Sequence, residues 1–375
     1  MLSYPTPFTP PTTEDDRLSW LRLIRSRRVG AVTFWRLIGE YGSAQAALHA
    51  LPEIAKAAGV QGYEPCPEPV ILKEYKAGAA AGARLLCRHE PAYPTALAEL
   101  ADAPPVLWCI GDPGLLSRPM VALVGARNAS SLGQRMARKL AEGLGAAGVT
   151  VVSGLARGVD TAAHAAALTT GTIAVMAGGV DVTYPTENAP LAREIGEKGL
   201  RLSEQPIGLE PQARHFPLRN RIISGLARAV VVVEAAARSG SLITARLALD
   251  QGRDVFAVPG HPFDGRAAGC NMLIRDGATL VRGVEDVLAA LAPVTAAAPE
   301  RSERTAPDPD PQRTWRDMAT LHSQILDRLG PSPMAEDQLI RDLALPSATV
   351  APELLALELE GRIQRQPGGL LSRLD

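Results

Sequence analysis

Between Val121 and Val281 the chain repeats one pattern: a short apolar run, a loop bearing glycine or serine, then a helix-forming stretch. The runs are Val121–Val124, Val149–Val152, Ile173–Met176, Leu200–Leu202, Val230–Val233 and Val255–Val258. Strands alternating with helices specify parallel pairing through right-handed crossovers. The pattern therefore predicts an α/β fold built on a doubly wound, mostly parallel sheet. Val230–Val233, the most β-branched run, is expected as a central strand.

Open sheets of this kind take ligands beyond the carboxyl ends of their strands. Those ends carry Gly125-Ala126-Arg127 with Ser130 before the next helix, then Ser153-Gly154-Leu155-Ala156-Arg157-Gly158, Gly178-Gly179-Val180-Asp181 and Arg238-Ser239-Gly240-Ser241. Glycine lets backbone N–H groups approach a ligand. A helix start offers free donors and a partial positive charge. Arginine adds a planar fork matched to phosphate oxygens. One such loop is an ordinary tight turn, but several in phase point to a rim that holds a polyanion.

A further stretch, His215-Phe216-Pro217-Leu218-Arg219-Asn220-Arg221, ends an irregular connection expected over Ser203–Pro217, opens a helix expected over Arg219–Leu226, and places an aromatic between Arg214 and the pair Arg219 and Arg221. Phe216 either stacks on a base, which tolerates any base sequence, or anchors its loop in the core while the arginines pair with Glu204 or Asp181. The pattern leaves both open.

Signatures of nucleotide enzymes are missing. No G-x-G-x-x-G follows the first strand and no G-x-x-x-x-G-K-[ST] occurs. Asp160 and His164 stand one helical turn apart without a third ligand, so no metal is expected, and Asp160 reads as a helix cap. Ser153, Asp160 and His164 could be written as a triad, but no nucleophile elbow supports it. The chain is thus read as non-enzymatic and without a cofactor.

Composition narrows the rest. The 375 residues leave room for two or three domains, and a net charge of −1 means that anion binding must come from local charge placement. Cys66, Cys87, Cys109 and Cys270 are scattered with no C-x-x-C pair, which fits a reducing cytoplasm rather than zinc or a disulfide framework. The N-terminus does not read as a signal peptide, and no apolar run is long enough to span a membrane.

Residues 1–16 are rich in proline and threonine and are expected to be mobile, and 17–82 form a small helical domain. Within it, residues 61–69 read as a linker. Arg25–Gly30 is either a helix-hairpin-helix turn that touches phosphates or a solvated basic turn. The main domain spans 83–291 and the linker 292–314. Residues 315–375 read as helix-helix-helix-wing, a winged-helix pattern, with the wing turning at Pro367–Gly369.

These residues resemble a known family. V-A-L-V-G-A-R-N-A-S (Val121–Ser130), S-G-L-A-R-G-V-D-T-A-A-H (Ser153–His164), Tyr184-Pro185 with Asn188, H-F-P-L-R-N-R-I-I-S-G-L (His215–Leu226), R-S-G-S-L-I-T-A (Arg238–Ala245) and G-R-D-V-F-A-V-P-G (Gly252–Gly260) are similar to the DNA-processing protein A (DprA, or Smf) family. The resemblance implies an extended Rossmann-like central domain, an N-terminal SAM-like module and a C-terminal winged helix. It implies a cytoplasmic homodimer that binds single-stranded DNA, protects incoming DNA in natural transformation and loads the RecA recombinase. Carried over by motif, Arg127 is the leading phosphate ligand, Gly154 and its neighbours supply backbone donors, and Phe216 is the base-stacking residue. Where that family commonly carries lysine, this chain reads Thr186-Glu187-Asn188 and Gln212-Ala213-Arg214. Arg214 takes over one role, and Glu187 would repel phosphate. The sequence does not fix the dimer surface, which turns on exposed apolar positions such as those near Met272–Ile274.

Two other readings compete. Nucleotide phosphoribohydrolases of the lysine-decarboxylase-like group share the glycine-rich layout, but their P-G-G-x-G-T-x-x-E corresponds here to Arg238–Ala245, which has no glutamate. A transcription regulator would use the winged helix on duplex DNA.

Overall fold

The structure, a computed structural model, describes residues 11–291, 315–329, 333–343, 345–366 and 370–374. The linker expected at 292–314, the wing turn at 367–369 and the first ten residues lie outside the described residues. Two compact units divide the chain, Met1–Pro293 and Val294–Asp375.

The first unit opens with four helices: α1 (Glu14–Arg25), α2 (Ala31–Tyr41), α3 (Ala44–Ala57) and α4 (Glu68–Ala80). Helix α1 starts inside the segment expected to be mobile, because Thr13 and Asp16 form a capping box. The Asp16 amide donates to Thr13 Oγ1 at 3.1 Å and the Thr13 amide to Asp16 Oδ2 at 3.1 Å. Helix α4 likewise begins within the expected linker, since its Pro69 sits in the first turn, where a missing N–H costs nothing. Trp20, Phe34 and Trp35 meet edge-on with centroids 5.0–5.6 Å apart. In the basic turn, Arg25 pairs with Glu74 at 2.9 Å, while Arg27 and Arg28 are exposed.

The rest of this unit runs β1 (Arg84–Cys87), α5 (Thr95–Ala98), β2 (Val106–Gly111), β3 (Met120–Val124), α6 (Ser131–Ala146), β4 (Thr150–Ser153), α7 (Val159–Ala167), β5 (Thr172–Val175), α8 (Ala189–Lys198), β6 (Leu200–Ser203), α9 (His215–Leu226), β7 (Ala229–Val232), α10 (Ser241–Asp250), β8 (Asp254–Ala257), α11 (Ala268–Arg275), β9 (Thr279–Leu280) and α12 (Val284–Leu291). Among the described residues the strands form a nine-stranded sheet in the order β1-β2-β6-β5-β4-β3-β7-β8-β9. All pairings from β6 through β9 are parallel; β2 joins β6 and β1 joins β2 antiparallel. The fold is Rossmann-like. The chain winds outward from β3 through β4, β5 and β6, then returns to lay β7 on the other side of β3. That reversal makes the β3/β7 junction the topological switch point, where a crevice opens between loops that leave in opposite directions.

Side chains of β3 alternate between two cores. Val121 and Leu123 pack with Leu140, Leu144 and Val159 from α6 and α7. Ala122 and Val124 pack with Ile222, Leu226, Ala245 and Ala248 from α9 and α10. Strand β7, expected as central, is fully buried between β3 and β8. The helical bundle shares a core with the sheet's antiparallel edge: Trp20, Phe34 and Ile71 lie in one cluster with Val106 and Trp108. The Trp108 indole donates to Glu74 at 2.8 Å, and Gly78 of α4 leaves the room its ring needs.

The second unit contains α13 (Trp315–Arg328), β10 (Met334–Ala335), α14 (Glu336–Leu343), α15 (Ser347–Leu359), β11 (Ile363–Gln366) and β12 (Leu370–Arg373). Its strands pair antiparallel in the order β10-β12-β11 over a core that includes Ile325, Leu339, Leu354 and Leu371, a winged helix. No helix among the described residues is long and apolar enough to cross a membrane.

Candidate functional site

At the switch point a cavity of about 870 Å³ opens beyond the ends of β3 and β7. Its walls include Arg127 and Asn128 after β3, Tyr184 after β5, Phe216 and Asn220 from α9, and the Arg238–Ser241 turn before α10. The sequence places these residues far apart, and the reversal of winding brings them together.

Arg127 is exposed and makes no ion pair among the described residues. Its guanidinium carbon lies 5.2 Å from the centroid of the Phe216 ring. Phe216 in turn meets Tyr184, with centroids 5.6 Å apart and planes tilted by 59°. An unpaired guanidinium beside two half-covered rings offers charge for a phosphate and a π face for a base. Arg238 is also exposed and unpaired, and Gly240 opens α10 with nothing within 4 Å of where a Cβ would stand. The first-turn amides of α10 are engaged within the turn, Ser241 donating to Ser239 Oγ at 3.4 Å, Leu242 to the Ser239 carbonyl at 3.1 Å and Ile243 to the Gly240 carbonyl at 3.1 Å. Ser239 and Ser241 share a hydrogen bond of 2.8 Å that shapes this turn.

Helix α9 starts at His215, four residues before the Arg219 start that the sequence pattern predicts. Pro217 is accommodated in the first turn, where no intrahelical N–H is required. Phe216 and Asn220 thus share a helix face toward the cavity, whereas an irregular loop had been expected around Phe216.

Several expected ligands are engaged within the protein, and two more stand outside the cavity lining. Arg219 is 6% exposed and donates from Nη1 to the carbonyls of Gly154 at 2.6 Å and Val175 at 2.5 Å. Burial pushes its pKa down to about 10, so it stays charged at neutral pH. Arg221 pairs with Glu204 and lies 3.6 Å from Asp102. Ser153 is buried and donates to the Leu123 carbonyl at 2.6 Å. The Gly154 amide donates to Asp160 Oδ2 at 3.1 Å, and a Cβ at Gly154 would collide with the Arg219 guanidinium. Gly178 and Gly179 are buried beneath residues 206–211, with the Gly179 amide donating to the Leu209 carbonyl at 2.8 Å. Arg157 stands outside the cavity and faces Glu187 at 3.7 Å with both side chains exposed, a weak pair. Arg214 is exposed, also outside the cavity lining, and donates to His215 Nε2 at 3.3 Å.

Ser130 is the most instructive of these. It caps α6, accepting from the Gly133 amide at 3.0 Å. Its own hydroxyl donates to Glu234 Oε2 at 2.5 Å and its amide to Glu234 Oε1 at 3.0 Å. The positive end of α6 is therefore occupied by an internal carboxylate.

The Ser153–Gly158 loop is a scaffold rather than a ligand. Leu155 at its tip is buried in the left-handed region with φ 57°. Its amide donates to His164 Nε2 at 3.3 Å and its carbonyl accepts from Asn188 at 2.9 Å. His164 Nδ1 then donates to Thr172 at 2.7 Å. Burial pushes the His164 pKa down to about 3, so the ring is neutral and this tautomer fits both bonds. Asp160, read from sequence as a helix cap, accepts from the Gly154 and Ala156 amides and clamps the same loop. Burial raises its pKa, against the pull of Arg219.

Sequence reasoning missed Asn128 and Arg266 in the cavity wall. Arg266 arrives from the segment after β8, paired with Asp264 at 3.1 Å, and carries no motif that could have revealed it.

Comparison with known proteins adds the following. A family model described as DNA recombination-mediator protein A matches residues 84–292. Models for a DprA-like N-terminal HHH domain and a DprA winged helix domain match residues 14–77 and 300–369. DNA processing protein DprA of Streptococcus pneumoniae is 51% identical over 199 residues, covering 52% of this chain and 70% of that protein. Protein Smf of Escherichia coli is 41% identical over 280 residues, 74% of each chain. The crystal structure of the S. pneumoniae DprA superposes with a TM-score of 0.62 and 40% identity over 73% of this chain and 97% of that one. A DprA structure from Helicobacter pylori, described in terms of its single-stranded DNA binding mode, superposes with a TM-score of 0.52 and 32% identity, covering 56% and 95%.

Proposed function

This chain belongs to the DNA recombination-mediator protein A family, and from that premise we propose that it binds single-stranded DNA at the switch-point cavity without catalysing a reaction on it. The observation that carries this reading is the free Arg127 guanidinium over Phe216, at the mouth of a cavity that also presents Arg238 and the Ser239–Ser241 turn. Arg127 and Arg238 take backbone phosphates, the Ser239–Ser241 turn adds hydroxyl and amide donors, and Phe216 with Tyr184 receives a base. Stacking and phosphate contact are both indifferent to base identity, so binding is sequence-tolerant.

The resemblance to the family extends the proposal: a cytoplasmic homodimer that protects incoming DNA and loads RecA onto it. Against the phosphoribohydrolase reading, the carboxylate at the cavity wall, Asp160, is held by two loop amides and is buried. Release of free base from a nucleoside monophosphate would favour the enzyme.

Titration of labelled oligo-dT tests the binding claim. Arg127→Glu should abolish binding with the melting curve retained, and wild-type affinity should fall with salt at a log–log slope of about −0.7 per phosphate neutralised. Unchanged affinity in the variant, or salt-insensitive binding, would overturn the assignment.

A further inference from the structure

A second groove, of about 790 Å³, opens on the other face of the same sheet edge. It runs between α6 and the segment that follows β8, over an apolar floor that includes Val233, Val258 and Val281. One wall is a stripe of α6: Arg135, Arg138, Lys139 and Glu142 recur at intervals of three and four, so they share a helix face.

Charge in this groove is uneven once internal pairs are removed. Glu234 is held by Ser130, Asp264 pairs with Arg266 at 3.1 Å, and Arg282 pairs with Asp286 at 2.7 Å. What remains among the described residues is three exposed cations, Arg135, Arg138 and Lys139, against the one carboxylate of Glu142. Among the described residues no ion pair joins any of these four.

The groove adjoins the site already described. Asn128 lines the switch-point cavity and Ser130 the groove; Arg266 lines the cavity and Asp264 the groove. Residues 128–130 and 264–266 are thus a shared ridge with a cavity on either side. A strand bound at Arg127 that crosses this ridge arrives directly at the α6 stripe. From Arg135 to Lys139 the helix rises about 6 Å, so the cations line a path along the strand rather than a single point.

We propose that this groove carries the nucleotides flanking those held at Arg127, with Arg135, Arg138 and Lys139 as ligands of successive phosphates. The inference rests on the single-stranded DNA reading above. It makes the contact longer than the first cavity and places the additional affinity on a helix that touches no base there.

The test uses the full chain, anisotropy titration, and two labelled oligo-dT strands, one of about 5 nucleotides and one of about 20. The variant is Arg135→Gln/Arg138→Gln/Lys139→Gln, with circular dichroism to verify the helix; Arg138→Glu alone is the second variant. The wild type should bind the long strand more tightly than the short one. The triple variant should keep short-strand affinity within about twofold and lose about tenfold or more on the long strand, with the long-strand salt slope shallower by about 2. Arg138→Glu should show the same selectivity to a smaller degree. Equal loss on both strands, or no loss on the long one, overturns the groove while leaving the first site standing. Failure of the wild type to bind either strand overturns the underlying reading, and the groove with it.

Discussion

The Arg127 guanidinium lies over the Phe216 ring at 5.2 Å, although the two residues come from opposite sides of the winding reversal, one after β3 and one at the start of α9. Neither is held by an ion pair or a packed core, so both present surface to the cavity. Under the proposed function, this contact places the phosphate ligand beside the base platform.

Phe216→Ala should therefore weaken oligo-dT binding by about 1–3 kcal/mol, roughly five- to 150-fold, without altering salt dependence. Phe216→Tyr should restore most of it. An anisotropy titration at two salt concentrations reads both. A steeper or shallower salt slope in Phe216→Ala would show that the ring acts through Arg127 rather than on a base.

Two arginines that line the same cavity should behave oppositely. Arg219→Met removes the donor to the Gly154 and Val175 carbonyls and leaves the Asp160 carboxylate without its buried cation. A stability loss of about 2–4 kcal/mol is expected in urea unfolding. Arg238→Gln, exposed and unpaired, should stay within about 0.5 kcal/mol of wild type yet bind single strands less tightly.

Glycines at the rim separate in the same way. Gly154→Ala would drive a methyl into the Arg219 guanidinium, so it should lower both stability and affinity. Gly240→Ala meets nothing within 4 Å at a φ of −61°, and should leave folding intact. Thermal melts of the two variants, side by side, check the contrast.

His164 makes stability depend on pH. Its folded pKa of about 3 lies below the unfolded value of about 6.5, so below 6.5 the unfolded chain binds the extra proton. Its contribution is complete above the unfolded pKa and declines as the pH falls from there toward 3, at about 1.4 kcal/mol per pH unit. Between pH 7 and pH 5, His164→Gln should show about 2 kcal/mol less acid destabilisation than the wild type. Parallel urea titrations at the two pH values measure it, and identical slopes would mean that the ring is not buried neutral.

The short apolar runs and their spacing were enough to read the sheet and its parallel pairing, because strand burial and crossover handedness are local consequences of side-chain pattern. Arg127 and the Arg238–Ser241 turn could be found for the same reason: they stand immediately after strands. Helix α9 was misread at its start because a proline between two candidate elements ends one helix or begins another, and only packing against α10 and β3 selects. The N-terminal bundle was legible as helices, but its shared core with Trp108 was not, since that contact joins residues far apart in the chain.

By itself the sequence determined which positions could hold an anion; it listed the arginines, glycines and helix starts without ranking them. Tertiary structure decided which remain free. Arg219 and Arg221 differ from Arg127 only in what the fold brings beside them, carbonyls of Gly154 and Val175 for one and the carboxylates of Glu204 and Asp102 for the other. Glu234 in the same way closes the start of α6. A charge is available to a ligand only when its desolvation and pairing within the protein are incomplete, and those depend on neighbours that chain order does not disclose.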